Sequence, residues 1–496
     1  MEKILKELTQ KENIRTNLSN LRQLIKADEA KISVQAFIVE NEVLVLGFLK
    51  HEDAKTRKNA ALLLGDMQYQ NALEGLMDAY QNEQTLFVKA SYLQALMELE
   101  IKDELSKLKA WLDELSALEV TLENKKHIDE QIRALRKIII AHEGISRHEI
   151  DIEKKDVDVL LMTNRSQRET IRRTITYGTA KIHPLGIEVH TDELSKLIEL
   201  RTYREIAFLL DTKDFLPAEP VEAAKILAGS NMLSILRLLH TGEGSFYFRI
   251  ECKSSMDLEA RSAFTKKLGA ELERQTKGQM INSTSDYEVE IRLIMNKEGN
   301  FFPCMLLNTL KSNRFSYRKN AIATSIHPST AALIMELAKP YLKENAQIMD
   351  PFCGVGTMLI ERDNAVGTKQ MYGTDIFGDA IIYARENSIL AGKQINYIHR
   401  DFMDFKHEYL FDEIITNMPL RGKKTKQEMD AFYQKFFDKM PEILNRDAVV
   451  ILYTNEIGFV KKQLRLHKEF ALQQETCLQP KNDFYLLILS YKRGLQ

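Results

Sequence analysis

Four short stretches of this 496-residue chain gather residue types that can hold a nucleotide-like ligand. The first, Asp350-Pro351-Phe352-Cys353-Gly354-Val355-Gly356-Thr357, sets an acid, two glycines and a threonine in one turn. Glycines let the backbone approach a ligand that a Cβ would block. A glycine pair alone equally suits an ordinary tight turn from strand to helix. The second stretch ends in Asp375-Ile376, an acid placed to accept hydrogen bonds from ribose hydroxyls. In the third, Asp401 can accept from an exocyclic amine and Phe402 can pack on a flat base. The fourth is Asn417-Met418-Pro419-Leu420, a polar side chain followed by proline, with the basic run Arg421-Gly422-Lys423-Lys424-Thr425-Lys426 behind it.

The intervening sequence must place these groups together. Residues Gln347 to Met349 read as a buried strand and Thr357 to Arg362 as the helix after the glycine turn. Further strands are predicted at Met371–Asp375, Ile395–His399 and Glu413–Thr416, with a helix at Asp379–Asn387. Strands separated by helices make a doubly wound α/β sheet, and such sheets bind ligands at the carboxyl ends of their strands. Every candidate group falls at such an end. Helix Gln427–Asn445 carries Phe432, Phe436 and Phe437 at core spacing. The apolar runs 448–453 and 483–491 supply late strands for an antiparallel edge.

The ordered set Asp350-x-Phe352-x-Gly354-x-Gly356, Asp375, Asp401 and Asn417-x-Pro419 resembles the class I S-adenosylmethionine (SAM)-dependent methyltransferases from about residue 315 to the end. The resemblance implies a Rossmann-like catalytic domain over 313–496 with SAM as cofactor. It implies that Asp350, Phe352, Cys353, Gly354, Gly356, Thr357, Asp375, Ile376, Asp401, Phe402 and Asn417 hold the cofactor. Asn417, Pro419 and Leu420 would form the catalytic loop. That loop is similar to the (Asn/Asp)-Pro-Pro-aromatic loop of enzymes that methylate exocyclic amino nitrogens. Met418 stands at the first proline, as in THUMP-containing guanine-N2 methyltransferases, which carry Met or Leu there. Leu420 stands where the family has an aromatic ring to stack on the target base.

The chemistry implied is transfer of an activated methyl from a sulfonium to an amine held in line, about 3–3.5 Å away. The Asn417 side-chain oxygen and a nearby backbone carbonyl can accept the two amine hydrogens, which aims the nitrogen lone pair at the methyl. A paired base must be splayed out first, or presented unpaired.

Length predicts two to four domains, and a 44% hydrophobic content suits sizeable cores. The formal charge of −2 excludes a uniformly basic chain but leaves room for a local basic face. Cys252, Cys304, Cys353 and Cys477 are widely spaced and read as free thiols in a reducing compartment. No metal site is predicted. With no signal peptide or membrane-spanning run, a cytoplasmic protein is expected.

Residues 1–145 read as helix throughout. Thr56-Arg57-x-x-Ala60-Ala61-x-Leu63-Leu64 returns 32 residues later as Val88-Lys89-x-x-Tyr92-Leu93-x-Ala95-Leu96. Paired helices at that period form α-solenoids, and the pattern, with Asp53 before Arg57, resembles HEAT repeats. The segment suits a docking surface for a protein partner or RNA, and equally a stabilising helical cap. The pattern shifts around Glu143 to Ser146. Residues 146–312 mix strands (156–162, 187–190, 205–210, 245–252, 287–294, 301–307) with helices (167–176, 221–228, 230–240, 258–275), as an α+β ferredoxin-like unit does. In order of elements, with Phe246-Tyr247-Phe248-Arg249 and Ser285 to Glu290 as local echoes, the region resembles the ferredoxin-like plus THUMP module that grips the acceptor end of tRNA. An α+β spacer without RNA contact is the alternative.

Asn313-Arg314-Phe315-Ser316-Tyr317-Arg318-Lys319 interleaves cations with rings, which suits a nucleic-acid path and also a solvated linker. Arg314, Tyr317, Arg318, Lys319, Arg421, Lys423 and Lys424 are the candidate RNA-binding residues. His327 reads as a structural or substrate-positioning residue, because amine methylation needs no strong base. The whole predicts a SAM-dependent RNA methyltransferase acting on guanine N2 of tRNA. The alternatives are ribosomal RNA, DNA adenine, or a methyltransferase-fold binder that has lost activity at Leu420.

Overall fold

Helical periodicity without strand-forming alternation dictates the first part of the chain, and among the described residues up to 143 no strand forms. In the computed structural model, residues 1–25, 28–118, 121, 124–143, 148–212 and 215–492 are described. The predicted change of pattern near 144–146 lies outside them. The chain divides into two compact units: Met1–Arg147 with Leu272–Ile281, and His148–Glu271 with Asn282–Gln496. The predicted middle and C-terminal regions therefore cluster together.

In the first unit, helices Ile14–Leu24, Ala54–Asp66, Leu86–Leu96 and Lys125–Glu143 stack one on the next. The repeated small and branched residues explain the stacking. A Cβ on Gly65 would lie 2.6 Å from Ala95 Cα, so the two helices meet backbone to backbone. Leu63, Leu64, Leu93 and Leu96 fill the seam. Asp53 caps helix Ala54–Asp66 by accepting from the Thr56 amide at 2.9 Å. Arg57 donates two bonds to the buried Glu83 (2.8 and 2.7 Å) and others to the carbonyls of His51 and Glu52.

Among the described residues the second unit holds two large sheets and a two-stranded one, Glu149–Ile150 with His240–Thr241. The strands of the first within this unit are β1 (Val157–Thr163), β2 (Thr179–His183), β3 (Gly186–Thr191), β4 (Tyr203–Leu209), β5 (Phe246–Lys253), β6 (Val289–Met295) and β7 (Phe301–Leu307), in spatial order β2-β3-β1-β4-β7-β6-β5. All neighbours are antiparallel except β6 and β5. The sequence reading omits β2. Its residues are mostly exposed at the sheet edge, so it carries no apolar alternation.

The second sheet contains β8 (Ala346–Asp350), β9 (Thr368–Asp375), β10 (Asn396–His399), β11 (Phe411–Asn417), β12 (Leu444–Thr454), β13 (Phe470–Gln479) and β14 (Phe484–Tyr491), in order β10-β9-β8-β11-β12-β14-β13. The first five are parallel and the last two antiparallel. This is a doubly wound sheet with an antiparallel edge; the sequence predicts that edge, but 448–453 lies in the parallel strand β12 and the edge strand β13 is not among the predicted strands. Phe436, Phe437, Met440 and Tyr433 of helix Lys426–Ile443 pack on one face. Arg362 and Glu413, both fully buried, form a two-bond ion pair (2.7 and 2.9 Å) between helix Thr357–Ala365 and β11.

The two sheets are tied together within this unit. The Arg201 guanidinium makes two bonds to Glu361 on helix Thr357–Ala365, at 2.8 and 2.7 Å. Asn164 and Ser166 donate to the carbonyls of Leu478 and Cys477 at the end of β13. Among the described residues no single helix is long and apolar enough to cross a membrane.

Candidate active site

The strand order brings all four predicted stretches to one edge. Asp350 ends β8, Asp375 ends β9 and Asn417 ends β11, and these are adjacent parallel strands. Asp401 follows β10.

Within the glycine turn, the two glycines have different reasons. Gly354 has φ +52°, and a Cβ there would meet nothing within 4 Å. Its open face is space for a ligand. Gly356 has φ +84°, and a Cβ there would lie 2.1 Å from the Tyr397 hydroxyl. It is held by packing. Asp375 organises the turn: Oδ2 accepts from the Gly354 amide and Oδ1 from the Phe377 amide, both at 2.9 Å. Asp350 is buried at the base of the turn and accepts from the Phe352 amide at 3.1 Å. Burial drives its carboxyl up to about 7, and the nearby Asp375 charge adds to the rise.

Cys353 is a buried packing residue. Its side chain fills the place a Cβ on Gly373 would take. Thr357 is buried with a hydroxyl that has no hydrogen-bond partner among the described residues. Asp401 is exposed and caps the short turn Phe402–Asp404 through the Met403 amide.

Two aromatic assignments change. Phe402 is only 1% exposed, with its ring 6.0 Å from Phe352 and 5.7 Å from Phe436. It belongs to the core and presents no face to a base. Ile376 and Phe377 are exposed apolar residues at this edge. Phe377 was missed; its only sequence signal is a ring directly after the acid that ends a strand. Phe352 is partly buried and packs against Phe402, Phe432 and Phe436.

On the loop Asn417 to Leu420, the Met418 amide donates to the Tyr453 carbonyl at 2.9 Å and the Met418 side chain is buried in the core. That explains why an apolar residue suits the position. Asn417 Nδ2 donates to the Thr324 carbonyl at 3.4 Å. Its Oδ1 accepts no hydrogen bond among the described residues. Pro419 is half-buried and Leu420 is exposed.

His327 caps helix Pro328–Ala338 by accepting from the Ser329 amide. Burial, and then the charges of Arg204, Arg318 and Arg314, push its pKa down to about 4. It is a neutral structural acceptor near pH 7.

The cation-and-ring linker is mostly spent on structure. Arg314 donates to the carbonyls of Leu200, Tyr203 and Arg204 at 2.7–3.0 Å and lies 3.5 Å over the Tyr203 ring. Tyr317 is buried, and its hydroxyl donates to Glu361 at 2.6 Å. Neither can follow a nucleic-acid backbone, because each is committed inside the junction of the two sheets. Arg318 is half-buried, and Lys319 is exposed. Arg421, Lys423 and Lys424 are exposed on the loop after Leu420, with Lys424 Nζ 5.0 Å over the Phe432 ring. Among the described residues no group of three or more His, Cys, Asp or Glu residues is arranged to hold a metal.

Residues 316–476 match the family described as UPF0020, RMKL-like, methyltransferase domain. A 131-residue stretch is 29% identical to the uncharacterized protein MG259 of Mycoplasma genitalium, and it spans 26% of this chain and 28% of that protein. Among solved structures, TrmN from Thermus thermophilus superimposes with a TM-score of 0.51 at 19% identity, over 68% of this chain and 99% of its own. SMU.472, a putative methyltransferase complexed with SAH, gives 0.51 at 15% identity over 69% and 100%. These likenesses show the fold. Residues 316–476 thus resemble a methyltransferase domain, for which the methyl donor would be SAM. The residues present fit that donor: an open glycine face at Gly354 and acids ending two adjacent strands stand where a nucleoside with ribose hydroxyls binds.

Proposed function

We propose that this protein methylates the exocyclic N2 of a guanosine in tRNA. The observation that carries the amine chemistry is Asn417. It ends β11 next to the glycine turn, its amide nitrogen is tied to Thr324, and its Oδ1 is open to accept. SAM supplies an activated methyl when bound. Asn417 Oδ1 accepts one hydrogen of the target amine, and a backbone carbonyl of the loop accepts the other. This holds the lone pair toward the donor and stabilises positive charge developing on nitrogen. The neutral His327 takes no part in proton removal, and the proton leaves to water.

The RNA reading rests on two supports. Arg421, Lys423 and Lys424 are exposed cations on the loop that follows Asn417, and Lys319 is an exposed cation beside Arg318; all suit backbone phosphates. The sequence of 146–312 also resembles, in its order of elements, a ferredoxin-like plus THUMP module, which in its family binds tRNA. The stacked helices of the first unit would then serve as a HEAT-like surface for RNA or a protein partner. Leu420, 45% exposed, offers an apolar contact in place of the stacking ring.

The test is transfer of labelled methyl from SAM to bulk tRNA, with nucleoside mass spectrometry to identify the product. N2-methylguanosine is expected, and Asn417→Ala should abolish transfer even at SAM concentrations that saturate the variant, with saturation checked by binding of S-adenosylhomocysteine (SAH). Tight tRNA binding by the wild-type protein without incorporation would mark a binder instead. Transfer by the alanine variant at the wild-type rate would remove Asn417 from the chemistry.

A further inference from the structure

We propose that Arg318 binds the α-carboxylate of SAM. This rests on the glycine corner being the cofactor site and goes beyond it by assigning the anchor for the amino-acid end.

Three contacts fix the segment that carries Arg318. Before it, the Tyr317 hydroxyl bonds Glu361 on the helix that follows the glycine turn. After it, the Asn320 amide donates to Asn387 Oδ1 at 3.1 Å, and Asn387 Nδ2 donates back to the Asn320 carbonyl at 3.0 Å. The same Nδ2 reaches the carbonyl of Val355, between the two turn glycines, at 3.2 Å. Farther on, the Thr324 carbonyl receives Asn417 Nδ2. The segment therefore runs from the glycine turn to the catalytic loop, with Arg318 at the glycine end.

The guanidinium there lacks what its neighbours have. Arg201 pairs with Glu361, and Arg314 is spent on three carbonyls. Arg318 has no acceptor among the described residues, and its Nε is buried without a partner. A guanidinium keeps its charge at any working pH. A buried donor without an acceptor is costly, so such groups are normally satisfied. The missing acceptor is then a ligand, and the planar fork of Arg matches a carboxylate. SAM carries one carboxylate, on the amino-acid end that extends away from the ribose. Arg318, drawn by sequence into the RNA path, is thereby reassigned to the cofactor. A substrate phosphate is the competing anion.

Titration calorimetry on the full chain separates the two, using SAH, which keeps the carboxylate, and 5′-methylthioadenosine, which lacks the amino-acid part. Arg318→Gln should weaken SAH binding roughly 10- to 100-fold, the loss expected for a charged hydrogen bond, and leave methylthioadenosine unchanged. Arg318→Lys, which keeps charge without the fork, should fall between. Equal SAH affinity in R318Q, with tRNA affinity lowered instead, would move Arg318 to a phosphate and overturn the proposal. Parallel loss of both small ligands would also overturn it, as general damage. A wild-type protein that binds neither ligand would bring down the glycine-corner reading itself, and the Arg318 assignment with it.

Discussion

Replacing each turn glycine by alanine should produce opposite failures. At Gly356 the new methyl faces the Tyr397 hydroxyl at 2.1 Å and its Cζ at 3.0 Å, and the backbone sits at φ +84°. The left-handed conformation costs an L-residue about 1–2 kcal/mol. Overpacking against a buried ring costs about 1–3 kcal/mol more. Tyr397 cannot swing aside cheaply, because its hydroxyl is hydrogen-bonded to Ser388 at 2.8 Å in the core. Gly356→Ala should therefore lose roughly 2–5 kcal/mol of stability by the sum of these terms. At Gly354, φ is +52° and the methyl meets no protein atom within 4 Å. Gly354→Ala should lose only the backbone term, about 1–2 kcal/mol, but its methyl stands in the ligand's space, so SAH binding should fall sharply. The assays are the melting temperature of the transition that carries this unit and calorimetry with SAH. Adding Tyr397→Phe to G356A should recover part of the stability by removing the atom at 2.1 Å. The reasoning fails if G354A binds SAH like wild type, or if G354A melts lower than G356A.

Two further outcomes follow from buried carboxyl groups. Glu361→Ala strands the Arg201 guanidinium and the Tyr317 hydroxyl at the junction of the two sheets, and should cost roughly 3 kcal/mol, the low end for a broken buried pair because Arg201 keeps some solvent. Denaturant unfolding would measure it, and a loss within about 0.5 kcal/mol, as for an ordinary surface change, would mean that the network contributes nothing. Asp350 titrates near 7 in the fold, above the usual carboxyl range, so the folded state holds a proton that the unfolded chain has released. Its contribution is fully present below pH 4 and is lost as pH rises toward 7. Without cofactor, the melting temperature should fall from pH 5 to pH 8, and Asp350→Asn, which stays neutral, should flatten that fall. A parallel pH profile in the variant would refute this.

The parallel sheet was legible because its signals are local. The β8 run is buried along its whole length, and Asp350, Asp375 and Asn417 each lie where an apolar run stops. Helices between the strands force parallel pairing, and parallel pairing puts those ends on one edge. The helix that carries Ala60, Leu63 and Leu64 was legible for the same reason, since its periodicity joins residues three or four apart. The partner of Arg57 was not, because Glu83 reaches it only when one helix stacks on the next.

The linker shows the limit most clearly. Arg314, Tyr317 and Arg318 lie within five positions and read alike as cations and rings. In the fold, Arg314 serves three carbonyls near β4, Tyr317 serves Glu361, and Arg318 alone keeps an unmet donor. Phe402 and Phe377 exchange roles in a similar way, one sealed in the core and the other exposed at the edge.

Sequence alone determined the alternation of strands and helices around the glycine turn, the edge at which a ligand can sit and the kinds of groups that meet there. Those properties depend on periodicity and on neighbours along the chain. Only the tertiary structure decided which glycine faces open space, which aromatic ring is free and which arginine lacks a partner. Each of those depends on contacts between residues tens to hundreds of positions apart, and burial then turns an ordinary side chain into a spent or an available one.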